Sequence, residues 1–184
     1  MVYVLLGEGF EEVEALTPVD LLRRAGVPVA TVGVGARTVA GGHGIRVEAD
    51  MTLEQMDLTQ LDMIVLPGGM GGVTTVRNSP AALEALRFAH ENGKFVAAIC
   101  AGPTVLADLR ITDGHRCTCY PGMENEMGDA IMVPGVAAVR DGHVITGTSA
   151  GSAEGFALEL VTVMAGKEAA QKVAAAIHIR PWEG

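Results

Sequence analysis

The sequence predicts an α/β domain with a mostly parallel central sheet covered by helices on both faces. Two observations carry this reading. Short continuous apolar runs alternate with segments of helical period, the pattern of strands buried on both sides and joined by helical crossovers. Small, glycine-rich turns follow three of those runs, at Gly7–Glu14, Pro67–Gly72 and Cys100–Pro103. In such sheets the carboxyl ends of the strands are where ligands gather. A chain of 184 residues is long enough for one well-buried core and short for two, so a single domain over 1–184 is expected.

Val2–Leu6 predicts the first strand and Phe10–Ala25 the first helix, burying Val13, Leu16, Val19 and Leu22 and ending at Gly26. Pro18 lies inside that helix and predicts a kink or break there. Val27–Val34 is the second strand. Arg37–Val47, centred on Gly41-Gly42-His43-Gly44, reads as a small hairpin inserted between α/β units. Leu61–Leu66 is a strand, Pro80–Asn92 a helix with Gly93 at its C-cap, and Phe95–Ile99 a strand ending at Cys100. Val136–Val139 and Val144–Thr146 flank Asp141-Gly142, a hairpin-turn signal, and Ala153–Met164 is the last long helix.

Charge and composition exclude several partners. The formal net charge is −9, from 22 acidic and 13 basic residues, and such a surface repels nucleic acid phosphates and anionic lipid. No apolar run approaches the ~20 residues of a membrane span. The N-terminus shows no basic segment followed by a cleavage site, so a cytoplasmic location is expected. Three cysteines, an odd number, suit a reducing compartment better than a disulfide framework. Cys117 and Cys119 sit as C-x-C on a predicted strand, on one face. With no second pair to complete a zinc site, they read as core thiols, and no metal is expected.

Cys100 carries the chemistry. The run Phe95-Val-Ala-Ala-Ile-Cys100-Ala-Gly-Pro-Thr is a buried strand, a cysteine, small residues and a helix entered at Pro103. Nucleophile elbows need this pattern, because small flanking residues let the chain turn sharply and present the side chain. A helix starting behind the sulfur favours thiolate. Bringing a thiol from ~8.5 to ~6 takes about 3.4 kcal/mol, of which a helix end supplies ~1–2, so hydrogen bonds must supply the rest. The alternative is a small buried core residue. Gly68 and Gly69 offer unhindered N–H groups and, with the Ala101 N–H, predict an oxyanion hole. The stretch lacks the Gly-Lys-Ser/Thr ending of a phosphate-binding P-loop, and Gly7-Glu8-Gly9 lacks the third glycine of a dinucleotide site. Of Glu8, Glu11, Glu12 and Glu14, most serve the helix N-terminus, and one is placed to face the elbow, where burial raises its pKa.

Together these residues resemble the ThiJ/PfpI superfamily, and within it the branch of the parkinsonism-associated deglycase. The likeness runs from Val2 to about Val173 and includes Glu11-Glu-Val-Glu14, Pro18-Val-Asp-Leu-Leu-Arg-Arg-Ala-Gly26, Leu66-Pro-Gly-Gly69, Ala97-Ala-Ile-Cys-Ala-Gly-Pro-Thr104 and Gly166-Lys-Glu168. It implies a flavodoxin-like homodimer in which Cys100 is the nucleophile, Glu14 its protonated carboxyl partner, and Gly69 and Ala101 bound the anion site. The helix around Arg23 and Arg24 would lie near the partner's Glu11. Implied activities are glutathione-independent glyoxalase, protein deglycase, chaperone and oxidative-stress sensing. The protease-like branch places histidine after the cysteine, where this chain has Ala101. Tyr120-Pro121 stands where the deglycase branch has His-Pro, which makes Tyr120 a pocket residue rather than a proton relay. His43 and Thr148 stand where some members have paired arginines over the cysteine. The expected substrate is a small 2-oxoaldehyde, attacked by Cys100 without cofactor. The rival is a non-catalytic sensor or chaperone in which Cys100 oxidises to sulfinate.

Overall fold

A computed structural model describes residues 1–179. Seven strands form one sheet, in the spatial order β10-β11-β7-β6-β1-β2-β5. They are β1 (Val2–Leu6), β2 (Val29–Gly33), β5 (Met51–Thr52), β6 (Met63–Leu66), β7 (Phe95–Ile99), β10 (Ala138–Asp141) and β11 (Val144–Gly147). Every neighbouring pair is parallel except β10 and β11. The β10–β11 hairpin turns through Gly142 at φ +60°. The inserted hairpin also forms, as β3 (Thr38–Ala40) against β4 (Arg46–Glu48), with Val39 opposite Val47. A further small pair joins β8 (Arg116–Cys117) to β9 (Ile131–Met132).

The period-two alternation of β1 divides the core. Val2, Val4 and Leu6 join α1 (Glu12–Arg24), α5 (Ala153–Ala165) and α6 (Lys167–Ala176) on one face. Tyr3 and Leu5 join α2 (Met70–Arg77), α3 (Pro80–Glu91) and α4 (Gly102–Asp108) on the other. Buried strands covered on both sides give the three-layer, flavodoxin-like α/β sandwich that the apolar runs predict.

Three local readings are corrected. Helix α1 runs unbroken through Pro18, which is buried, so the flanking turns carry the helix across the missing N–H. Its buried face includes Glu12 and Glu14 in place of Val13, which is half-exposed. The glycines after β6 open helix α2, and α6 follows α5 after Gly166, whose φ is +91°. Cys117 and Cys119 are both buried in the second core cluster, consistent with packing thiols.

Candidate active site

Strand β7 leads directly into Cys100, which has φ +66°, a left-handed conformation that costs a non-glycine residue about 1–2 kcal/mol. Its neighbours hold it there. The Cys100 N–H donates to the Gly147 carbonyl at 3.0 Å, and the Tyr120 N–H donates to the Cys100 carbonyl at 2.8 Å. Gly102 then lets α4 start close to the sheet, since a Cβ there would come within 2.6 Å of the Leu66 carbonyl. The sharp turn leaves the sulfur half-buried at the strand end, as the elbow pattern requires.

Glu14 reaches this sulfur from the first turn of α1. Glu11 caps that turn, its side chain accepting from the Glu14 N–H at 2.7 Å. The Glu14 carboxyl is almost fully buried, and Oε2 accepts from the Gly68 N–H at 2.9 Å. Oε1 has no hydrogen-bond partner meeting full geometry. The thiol of Cys100 is nonetheless near enough to couple to the carboxyl. Burial pushes Glu14 up to about 7, against the lowering by Cys100 and by the Gly68 amide.

The helix-driven thiolate expected at Cys100 is corrected: in the free protein burial outweighs the helix amides. Desolvation and then the Glu14 charge push the thiol up to about 12, while the Ala101 and Gly69 amides pull it down. The Glu14 contribution vanishes once that carboxyl holds a proton. The two groups therefore share their ionisations: the coupled pair loses its first proton near pH 7, chiefly from Glu14, and the thiol holds the second more tightly.

The predicted oxyanion donors divide in the same way. The Gly68 N–H is engaged by Glu14, so Gly68 positions the carboxyl instead of facing an oxyanion. Only glycine fits there: a Cβ would lie 2.5 Å from Glu14 Oε2 and 2.7 Å from the Cys100 Cβ. Gly69, at φ +83°, caps α2, and its amide and that of Ala101 act on the sulfur. Gly69 and Ala101 are thus the amides that face the sulfur.

Above the sulfur is a cleft of about 470 Å³ lined by Glu11, Gly69, Met70, Ala101, Tyr120 and Met123 among others. Tyr120 is at its rim, half-exposed, as the sequence placed it. His43 is not among the lining residues. Its backbone and Nδ1 both meet the Glu12 carboxylate, each at 2.8 Å, which raises the imidazole pKa and holds the ring on the hairpin side of α1. Thr148 is occupied with Thr118 Oγ1 at 3.0 Å and the Val136 carbonyl. Among the described residues, no arginine lines the cleft. Met70 and Met123 escaped the sequence reading, because nothing in their local pattern distinguishes a cleft methionine from a core one.

A family model for the DJ-1/PfpI family matches residues 1–163. The chain belongs to the DJ-1/PfpI family. It is 37% identical over 173 residues to protein dj-1beta of Drosophila melanogaster, covering 93% of this chain and 92% of that one. The crystal structure of Drosophila DJ-1beta superposes with a TM-score of 0.93 at 34% identity, covering 98% of each chain. A protein named a deglycase from Pyrococcus abyssi is 33% identical over 129 residues, 70% of this chain and 77% of that one. The fold and family drawn from the elbow and glycine motifs therefore hold, and in this DJ-1-type chain Glu14 stands against Cys100.

Proposed function

We propose that the protein is a cysteine-nucleophile enzyme acting on small 2-oxoaldehydes, a cofactor-independent glyoxalase or deglycase with an oxidation-sensitive Cys100. The observation that carries this is the coupling of Cys100, at a strained elbow, to a buried Glu14 whose pKa is about 7. A base poised near the operating pH moves protons best. The deglycase name of the archaeal relative supports the substrate class.

The Cys100 sulfur adds to the aldehyde carbon. A C–S bond forms, the carbonyl π pair moves to oxygen, and that oxygen takes the proton the pair releases. The Gly69 and Ala101 amides face the developing oxyanion. Glu14, as carboxylate, then removes the proton from the carbon bearing sulfur, giving an enediol, and returns it at the neighbouring carbon. The result is the thioester of a 2-hydroxy acid. Water adds, the C–S bond breaks, and acid and thiol separate. Oxidation of one substrate carbon balances reduction of the other, so the chemistry calls for no external redox cofactor.

The mostly apolar cleft, with no cation among the described residues that line it, suits a small neutral carbonyl compound. A cytoplasmic homodimer completes the proposal. Half-exposed Val13 on α1 and exposed Ile45 on the neighbouring hairpin favour an interface on that side. Arg23 and Arg24 already meet Asp50 and Asp20 of their own chain, at 2.7 and 2.8 Å. The test is conversion of methylglyoxal to lactate without glutathione. Turnover lost in Cys100→Ala is the expected result. Wild-type turnover no faster than that variant overturns the enzyme and favours the sulfinate sensor.

A further inference from the structure

Three of the five histidines meet at the edge of the sheet opposite Cys100, on elements that the reaction does not use. His90 is in the last turn of α3, His143 immediately precedes β11, and His115 immediately precedes β8. Val144 is in register with Val96 on β7. Cys100 lies four residues further along, about 13 Å at ~3.3 Å per residue.

His143 Nε2 and His90 Nδ1 are 3.0 Å apart, with ring centroids at 4.9 Å. The His115 ring stands edge-on to His143 at 5.9 Å. His115 Nδ1 is 3.8 Å from Asp141 Oδ2, a carboxylate already fixed by the Arg116 N–H at 2.8 Å. Backbone bonds anchor each histidine separately. Gly93 N–H donates to the His90 carbonyl, Val96 N–H to that of His143, and Ile131 N–H to that of His115.

We infer that His90 and His143, with His115 as a third ligand, bind a divalent transition-metal ion of the zinc class. Two imidazoles on one tetrahedral ion, with metal–nitrogen bonds of about 2.0–2.1 Å, hold their nitrogens about 3.3 Å apart. The present pair needs to open by only about that difference. The proton now between the two nitrogens moves to the ring nitrogen facing away, so neutral rings bind without net proton loss. Asp141 Oδ2, 3.8 Å from His115 Nδ1, is at ion-pair distance and not hydrogen-bonded to it; its charge favours a proton on Nδ1, which leaves Nε2 for the ion. His115 reaches the ion by side-chain rotation. Imidazole ligands select zinc, copper or nickel over calcium and magnesium. A plain imidazole–imidazole hydrogen bond explains the 3.0 Å contact, but gives no role to His115 and Asp141.

Zinc chloride titrated into the full chain at pH 7.5, followed by calorimetry, tests this. The expected result is one zinc per chain, with His90→Ala and His143→Ala each weakening binding more than tenfold while methylglyoxal turnover is unchanged. Unaltered binding in both variants overturns the site. So does binding lost in Cys100→Ser or His43→Ala but kept in His90→Ala, because zinc would then occupy the cleft or the Glu11, Glu12 and His43 group. Ring-nitrogen NMR of the wild type needs no variant. Zinc shifts on His90 and His143 support the inference, and their absence refutes it.

Discussion

The Gly68 N–H donates to Glu14 Oε2 at 2.9 Å, across 54 residues of sequence, and this bond sets where the carboxyl stands against Cys100. It joins the turn after β6 to the first turn of α1, so the two strand ends are fixed to each other through a buried polar group. A buried carboxyl oxygen with such a partner is far less costly than one without.

Gly68→Ala should therefore damage the site more than an ordinary surface change. A Cβ 2.5 Å from Glu14 Oε2 and 2.7 Å from the Cys100 Cβ forces one of them aside. Overpacking of this kind costs about 1–3 kcal/mol of stability. Turnover should fall at least a hundredfold, since displacement of a positioned group by about 1 Å has that effect. Urea unfolding and methylglyoxal kinetics on the same preparation measure both. A variant with wild-type turnover would show that the Gly68–Glu14 geometry does not matter.

Glu14→Gln should separate stability from activity. Burial raises the folded-state pKa of Glu14 from 4.5 to about 7. A group with a raised folded pKa gives its full stabilisation below the unfolded value and loses it as pH rises through the folded one. At about 1.36 kcal/mol per pH unit, the loss approaches about 3 kcal/mol between pH 4.5 and pH 7.5. Glutamine does not ionise, so the variant should gain on the wild type by that order as pH rises. Its turnover should fall by more than a hundredfold, because an amide can accept from Gly68 but cannot take the carbon-bound proton. Parallel stability curves against pH would contradict the burial of the charge.

Tyr120→Phe should lower turnover about tenfold or less, the ~1–1.5 kcal/mol of one neutral hydrogen bond. Tyr120 lines the cleft, and its hydroxyl can donate one hydrogen bond to a bound carbonyl. Tyr120→His should retain or raise turnover. No change in either would reduce Tyr120 to packing around its backbone bond with Cys100.

The elements were legible where one physical signal dominated. Phe95–Ile99, Val2–Leu6 and the Asp141-Gly142 turn are strongly apolar or strongly turn-forming, and all three form nearly as read. Pro18 misled because tertiary burial of α1 outweighs one missing hydrogen bond. Val13 misled because the helix turns the carboxylates of Glu12 and Glu14 inward, a polar choice that periodicity counts as solvent-facing. At the site, Cys100 and the glycines were visible as local patterns. The Gly68–Glu14 bond and the His43–Glu12 bond, which reassign Gly68 and His43, join residues 54 and 31 positions apart and leave no local trace.

The pairing of Cys100 with Glu14 is tested most directly by the pH dependence of iodoacetamide alkylation, read residue by residue by mass spectrometry. Cys117 and Cys119 are buried and should label far more slowly than Cys100. In the wild type, Cys100 alkylation should rise with an inflection near the pH, about 7, at which the pair loses its first proton. The first macroscopic ionisation of two coupled acids lies at or below that of either alone. In Glu14→Gln the inflection should therefore move upward, by about one pH unit or more. The same inflection in both proteins, or one above pH 9 in the wild type, would show that Cys100 ionises without Glu14 and would contradict the shared-proton site.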